Sequence, residues 1–130
     1  MIVKNLILSS QSKDKLSRLK GKTGIKNWNV LCRWAICLSL SEKAIPIDSE
    51  VGIDSNVEMS WQTFGGEYSE IYEALIKTRC IEDGLPTDPE TLARYFKLHL
   101  NRGISHLAGT NVVKSIDDLI YLALNKKSQE

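Results

Sequence analysis

The pattern of apolar and polar residues along the chain predicts one strand and five helices. Residues 2–8 are rich in branched residues and end at two serines, which is typical of a β-strand. Apolar residues at helical spacing, with suitable start and stop residues, then predict five helices, over about 11–21, 28–42, 67–82 and 89–102 and from 115 onward. Residues 46–64 instead mix proline, glycine and alternating letters, which predicts a loop and a short strand or hairpin around 57–63.

The second predicted helix is apolar on nearly all sides. Its core, "WNVLCRWAICLSL", is interrupted only by Asn29, Arg33 and Ser39. A helix without a polar face must be covered all round. We therefore expect it to be the central helix of the domain, part of a subunit interface, or both.

Sequence signals also predict the faces and ends of the other helices. The third helix carries an apolar stripe at helical spacing, formed by Tyr68, Ile71, Tyr72, Leu75 and Ile76. Asp88 followed by Pro89 predicts the start of the fourth helix, and Gly103 is expected to end it. Gly21 or Gly24 is expected to end the first helix.

These elements predict a single, mainly α domain over residues 1–125, followed by a frayed polar tail over 126–130. The strand–helix–helix opening resembles a ribbon–helix–helix unit, in which two chains pair their strands. No run of about 18 uncharged apolar residues predicts a membrane span. The first ten residues include Lys4 and lack the small-residue cleavage site of a signal peptide. The three cysteines lie in apolar or helical segments. We therefore expect a cytoplasmic protein with free thiols.

Charge is unevenly distributed, although the formal net charge is only +1. Residues 1–45 carry nine Lys and Arg against two acidic residues, whereas residues 46–95 carry eleven acidic residues against three basic ones. This asymmetry favours a basic face with an anionic partner, and self-association through the acidic part. The alternative is that both segments are solvated surfaces.

The stretch "LKGKTGIKNWN", from Leu19 to Asn29, indicates which kind of anion the basic face binds. Gly21-Lys22-Thr23 looks like the end of a nucleotide-binding P-loop, but Leu16 stands where the first glycine is needed and a helix precedes it. Lysines around a glycine-containing turn that leads into a helix instead suit the phosphates of a nucleic-acid backbone. Because no base-reading pattern is present, we expect mostly sequence-independent contacts.

No arrangement of residues predicts catalysis, a metal or a cofactor. Cys32 and Cys37 point to different faces of one helix and Cys80 lies far away, so we expect three buried structural thiols. A sulfur-carrying cysteine would need exposure and a lowered pKa. We expect Arg33 to have a structural partner.

Two further residues of the fourth helix, His99 and Arg102, lie just before Gly103. We expect them to pair with acidic residues of the middle segment or to touch a ligand.

Three motifs resemble, in the same order, the DndE family of the bacterial DNA phosphorothioation pathway. They are "TGIKNWNVLCRWAICLSL" (23–40), "FGGEY" (64–68) and "LHLNRGISHL" (98–107), and the likeness runs from about residue 5 to 125. Family members often carry a proline near the second helix start, where this chain has Asn27-Trp28. That departure is expected to affect where the helix begins, and with it the geometry of the lysine turn.

The resemblance implies a small helical DNA-binding component that forms oligomers and prefers nicked duplex. It would work beside a cysteine desulfurase, a sulfurtransferase and an ATPase in a pathway that replaces a non-bridging phosphate oxygen of DNA with sulfur. No catalytic residue is implied.

Charge and resemblance together predict a DNA-binding accessory subunit of this system that is not an enzyme and needs no cofactor. Its predicted partners are nicked double-stranded DNA, the sulfurtransferase and ATPase subunits, and further copies of the chain, as in a tetramer. Six basic side chains are expected to hold backbone phosphates: Lys13, Lys15, Arg18, Lys20, Lys22 and Lys26.

The sequence leaves two other classes of function as alternatives. A ribbon–helix–helix repressor would read an operator through its strand, with contacts from Lys4 and Asn5. An enzyme would be either a nicking nuclease, which needs clustered carboxylates for a metal, or a sulfur carrier acting through a thiol.

Overall fold

Two short strands and six α-helices make up the protein in a computed structural model, which describes residues 1–109 and 112–128. The elements follow in chain order as β1 (Asn5–Ile7), α1 (Ser10–Thr23), α2 (Trp28–Leu40), β2 (Glu58–Ser60), α3 (Trp61–Gly65), α4 (Ser69–Glu82), α5 (Pro89–Leu107) and α6 (Ile116–Ser128). One turn of 3-10 helix, Gly66–Tyr68, joins α3 to α4. The predicted mainly α class is confirmed, and the short α3 is an addition to the predicted helices.

The two strands pair with each other inside the chain. β1 and β2 run antiparallel, with Leu6 opposite Met59, and both of these side chains are buried. The described pairing therefore differs from the ribbon–helix–helix analogy, in which the first strand pairs with a second chain. The predicted strand around 57–63 is present only over Glu58–Ser60, because Ser60 caps α3 by accepting a hydrogen bond from Thr63 N.

The centre of the fold is the contact between α2 and α5. Helix α2 buries Leu31, Cys32, Ala35 and Ile36, as its apolar sequence predicts. Gly103 faces α2 so closely that a Cβ atom on it would lie 1.9 Å from the Ala35 carbonyl oxygen. The prediction that Gly103 ends the fourth helix is therefore wrong: the glycine lets two helix backbones approach, and α5 continues to Leu107.

Helix α4 has the predicted extent but not a buried apolar stripe. Ile76 is fully buried, whereas the Tyr68, Ile71 and Leu75 side chains are 51%, 56% and 42% exposed. Arg79 instead lies on the buried side of the helix. The apolar pattern of this segment thus marks a surface as well as a core face.

Candidate nucleic-acid interface

Helix α1 carries its basic side chains on both sides of a buried stripe. Leu16 and Leu19 are almost fully buried against the rest of the domain. Because successive helical residues are about 100° apart, Lys13 and Lys20 lie on one side of this stripe. The other side is formed by Lys15, Arg18 and Lys22, a set that we call the α5 flank.

Lys13 and Lys20, which we call the Trp28 flank, are both held by neighbouring residues. The Lys13 ammonium group donates a hydrogen bond to Asn56 Oδ1 at 2.6 Å. The Lys20 Nζ atom lies 3.4 Å from the centroid of the Trp28 ring. A cation in this position is attracted by the electron-rich face of the indole. Lys20 of α1 therefore contacts the first residue of α2.

The α5 flank is less constrained. Lys15 donates a hydrogen bond from Nζ to Ser105 Oγ on α5 at 3.0 Å. Arg18 and Lys22 are exposed. Opposite flanks of one helix therefore present basic groups in two directions, and the structure does not gather the predicted residues into one patch.

Lys26 lies in the turn between α1 and α2 and is exposed. Gly24 ends α1 with a φ of 76°, which favours glycine, and its amide donates to the Lys20 carbonyl oxygen. The Thr23 hydroxyl donates to the Leu19 carbonyl oxygen and accepts from Ile25 N. The turn that carries Lys26 is thus fixed by backbone and hydroxyl hydrogen bonds.

The basic groups of this surface are not neutralised by carboxylates. Within residues 1–109 and 112–128, no ion pair involves any of the six predicted side chains. Asn27 at the N-cap of α2 also makes no side-chain capping hydrogen bond. The first amides of α2 lie beside the lysine turn, and a helix start of this kind favours an anion.

The three cysteines divide into two groups. Cys32 and Cys80 are buried as predicted, whereas Cys37 is exposed, so the prediction of a buried thiol is wrong there. Burial raises the pKa of Cys32 to about 12, and desolvation also raises the pKa of the exposed Cys37 and of the buried Cys80. No cysteine combines exposure with the lowered pKa that a sulfur carrier needs.

Arg33 has no carboxylate partner among residues 1–109 and 112–128, although the sequence predicts a structural partner for it. It forms no ion pair with a described residue, and it lines an apolar groove of about 370 Å³ with Trp34, Cys37 and Tyr72. The groove lies on the outer side of α2. The buried arginine with several hydrogen-bond partners is instead Arg79 on α4, which sequence reasoning missed.

Arg79 binds the backbone that follows α2. Its guanidinium donates to the carbonyl oxygens of Leu40, Lys43 and Ala44 at 3.0–3.2 Å and to Asp83 at 2.8 Å. The last carbonyl groups of a helix have no partner within the helix. Arg79 therefore supplies a partner for the carbonyl group of Leu40, the last residue of α2, from a neighbouring helix.

Arg102 and His99 complete the same buried network from α5. Arg102 donates to the Ser39 hydroxyl and carbonyl oxygens at 2.8 Å, while Glu42 lies 3.9 Å away. His99 is fully buried, and its Nδ1 atom lies 2.8 Å from Ser39 Oγ. The described partners therefore differ from the expected acidic residues of the middle segment: Arg102 bonds to Ser39 with Glu42 farther away, and His99 bonds to Ser39.

The chemistry of His99 follows from this position. Ser39 Oγ accepts a hydrogen bond from Arg102 Nε and shares a second hydrogen bond with His99 Nδ1. Nε2 is buried and has no partner among the described residues. Burial first, and then the charges of Arg102 and Arg79, lower the pKa of His99 to about 4.

The described part of the chain has neither a metal-binding cluster nor a membrane-spanning helix. No group of three or more His, Cys, Asp or Glu side chains is placed to hold a metal ion. No helix there is both long enough and apolar enough to cross a membrane.

The fold and the site define a small helical protein whose first long helix carries basic groups on two flanks, none of them in an ion pair with a described carboxylate. The family model described as "DNA sulphur modification protein DndE" matches residues 5–115, and the chain therefore belongs to the DndE family.

Solved structures agree with this assignment. DndE from Escherichia coli B7A, described as involved in DNA phosphorothioation modification, is 25% identical with a TM-score of 0.68. The alignment covers 82% of this chain and 98% of that chain. A glycine-to-lysine mutant of DndE is 20% identical with a TM-score of 0.63, and the alignment covers 82% and 100% of the two chains. No curated protein matches the chain significantly.

Proposed function

We propose that this protein is a DNA-binding accessory subunit of a DNA phosphorothioation system and that it holds the backbone of nicked duplex DNA. The family match over residues 5–115 supports the pathway. The observation that carries DNA binding is the set of six basic side chains on and after α1 that no described carboxylate neutralises. Its role is to position DNA for partner subunits, not to catalyse the sulfur transfer.

The contacts are expected to be electrostatic and independent of sequence. Lysine and arginine side chains that neutralise phosphates release counterions, so each such contact adds about 0.9 to the slope of log affinity against log salt concentration. The α5 flank and the Trp28 flank face different directions, so a duplex lying across α1 engages mainly one of them, with Lys26 at its end. Further copies of the chain would extend the same surface along the DNA.

The test is fluorescence anisotropy with labelled intact, nicked and single-stranded DNA across a salt series. We expect nicked duplex to bind most tightly, with a steep salt dependence and equal affinity for a scrambled sequence. Changing Lys20, Lys22 and Lys26 together to Glu reverses one charge on each flank and one in the turn. It is expected to weaken binding about tenfold or more, whichever flank the duplex engages. Unchanged affinity in that variant would show that these residues are not the site.

A matched control has the same change in net charge. Lys43, Lys77 and Lys114 are exposed and lie outside α1 and its following turn. Their joint replacement by Glu is expected to reduce affinity far less. Equal losses in both triple variants would mean that only overall charge matters. A strong preference for one operator sequence would instead support the repressor alternative.

The proposed partners are the sulfurtransferase and ATPase subunits of the system and further copies of this chain. The exposed apolar side chains of α4 and the apolar groove beside Trp34 are surfaces of the kind that protein partners cover. We place self-association on the α4 side because it leaves α1 free for DNA.

A further inference from the structure

A small groove lies beside the Trp28 flank. It has a volume of about 290 Å³ and is lined by Lys13, Trp28, Asn56, Val57 and Glu58. This volume is near the lower end of the range of roughly 300–1,000 Å³ that is usual for small-molecule sites. The groove therefore suits one planar group better than a length of nucleic-acid chain.

One wall of the groove is aromatic. Trp28 is half-buried at the first position of α2, and Lys20 covers one face of its ring. Aromatic side chains next to basic groups are the usual surface on which unpaired bases stack, because every base has a π-face. Lys20 and Trp28 thus place a phosphate-binding charge and a stacking surface side by side.

The other walls carry both donors and acceptors. Lys13 Nζ uses one of its N–H groups on Asn56 Oδ1, which leaves further donors on the ammonium group and on the Asn56 amide. The Glu58 carboxylate makes no ion pair within the described residues and is an acceptor only. A phosphate in this groove would lie near the negative charge of Glu58, whereas the edge of a base offers donors and acceptors together.

We propose that this groove binds one unpaired nucleobase of the DNA, stacked on the part of the Trp28 ring that lines the groove. Lys13, Asn56 and Glu58 contact the edge of the base. The inference rests on the proposed function, and it adds a subsite that recognises a base displaced from the duplex next to a strand break. Backbone phosphates then lie along the lysines while one base leaves the stack for the groove.

The experiment compares two nicked duplexes by fluorescence anisotropy. Both carry one unpaired nucleotide at the break, which bears adenine in the first duplex and no base in the second. Because the two duplexes have the same phosphates, the ratio of their affinities reports the base alone and stays constant across a salt series. We expect the unmodified protein to bind the adenine duplex about fivefold more tightly, or better.

The outcomes separate the two proposals. Equal, salt-dependent binding of both duplexes would overturn the base subsite and leave the proposed function standing. Failure to bind any DNA would overturn both. If the affinity ratio of the two duplexes falls to one at high salt while both still bind, the preference for adenine is electrostatic. That result would also overturn the subsite.

Variants locate the subsite at Trp28. Trp28→Ala is expected to bring the affinity ratio close to one, and Trp28→Phe, which keeps an aromatic ring, to retain part of it. The matched control is Trp34→Ala, because Trp34 is half-buried on the same helix but lines other grooves. Thermal unfolding of each variant checks that it is folded. An unchanged ratio in folded Trp28→Ala would overturn the assignment.

Discussion

Arg79 shows how one residue can carry a large share of the local structure. It is buried, and it binds the backbone carbonyl groups of Leu40 at the end of α2 and of Lys43 and Ala44 after it, together with Asp83. Changing Arg79 to Leu removes the donor of the Leu40 and Lys43 carbonyl groups and leaves the largely buried Asp83 carboxylate without its arginine. Removing one partner from a buried charged network costs about 3–5 kcal/mol, and we expect a loss of about 3 kcal/mol in the free energy of unfolding, measured in urea.

The control for this prediction is Arg94. Its ion pair with Asp48 joins two side chains that are 54% and 71% exposed. Exposed pairs contribute at most about 1 kcal/mol, so Arg94→Leu is expected to have little effect on the same measurement. Similar losses in both variants would mean that the carbonyl contacts of Arg79 are not what stabilises the fold.

His99 makes a second prediction at the scale of the residue, and it concerns pH. The pKa of His99 is about 4 in the folded protein against an ordinary value of 6.5, so the unfolded chain binds a proton first as the pH falls. Stability is therefore full above pH 6.5 and declines from there toward pH 4. One proton gives a slope of at most about 1.4 kcal/mol per pH unit.

The measurement is the free energy of unfolding at several pH values between 7 and 4. His99→Gln is expected to remove this contribution to the slope, whereas His106→Gln, at a half-exposed site beside Glu42, is the comparison variant. Parallel curves for the unmodified protein and His99→Gln would contradict the assignment of the slope to His99.

At the scale of elements, the packing of α2 against α5 depends on a glycine. A Cβ atom at position 103 would overlap the Ala35 carbonyl oxygen, which is backbone and cannot move aside without shifting a helix. Overpacking of this kind costs about 1–3 kcal/mol or more. We expect Gly103→Ala to lower the midpoint of thermal unfolding markedly, as measured by circular dichroism.

Gly21 provides the opposite case within α1. A Cβ atom at Gly21 meets nothing within 4 Å. Alanine in a helix interior is more favourable than glycine by roughly 0.5–1 kcal/mol, so Gly21→Ala is expected to raise the unfolding midpoint slightly. A fall in both variants would contradict the steric explanation for Gly103.

The comparison of these two glycines shows how far the sequence predicts the elements. Sequence signals correctly predicted the central place of α2 and the capped start of α5 at Asp88 and Pro89. They failed at Gly103, because a glycine that ends a helix and a glycine that admits a neighbouring backbone look the same in one sequence. The second role depends on a contact with Ala35, which is 68 positions away in the numbering.

The candidate site was predictable to a similar degree. The six basic residues could be chosen from charge alone, and the prediction that they bind phosphates stays a prediction. Their division into two flanks follows from the buried stripe of α1 and from the contacts of Lys13 and Lys15. The roles of Arg79 and Asn56 could not be found from the sequence, because each depends on segments that meet only in the folded chain.

At the scale of the whole molecule, α4 and the turn before it expose several large apolar side chains that do not pack in the core. Tyr68, Ile71 and Leu75 lie on one exposed side of this segment. If copies of the chain associate through this side, changing Ile71 and Leu75 together to Lys places charges in the interface. We expect the double variant to have a lower molar mass than the unmodified protein in light scattering at the same concentration.

Two other exposed apolar residues serve as the control. Ile45 and Ile47 are 59% and 86% exposed and lie in the segment after α2. Changing both to Lys adds the same charge and is expected to leave the molar mass unchanged. An equal effect of the two double variants would mean that charge repulsion, and not loss of a specific surface, separates the chains.

The pairing of β1 with β2 has a consequence for synthesis of the protein. Leu6 must meet Met59, so β2 leaves the ribosome roughly 50 residues after β1. At about 5–20 residues per second, this delay is about 3–10 s. During that time Ile2, Val3, Leu6 and Leu8, which are buried in the folded domain, have no β2 to pack beside. We therefore expect the β1 segment to need protection by a chaperone until β2 has emerged, even though it forms one of the smallest elements of the finished fold.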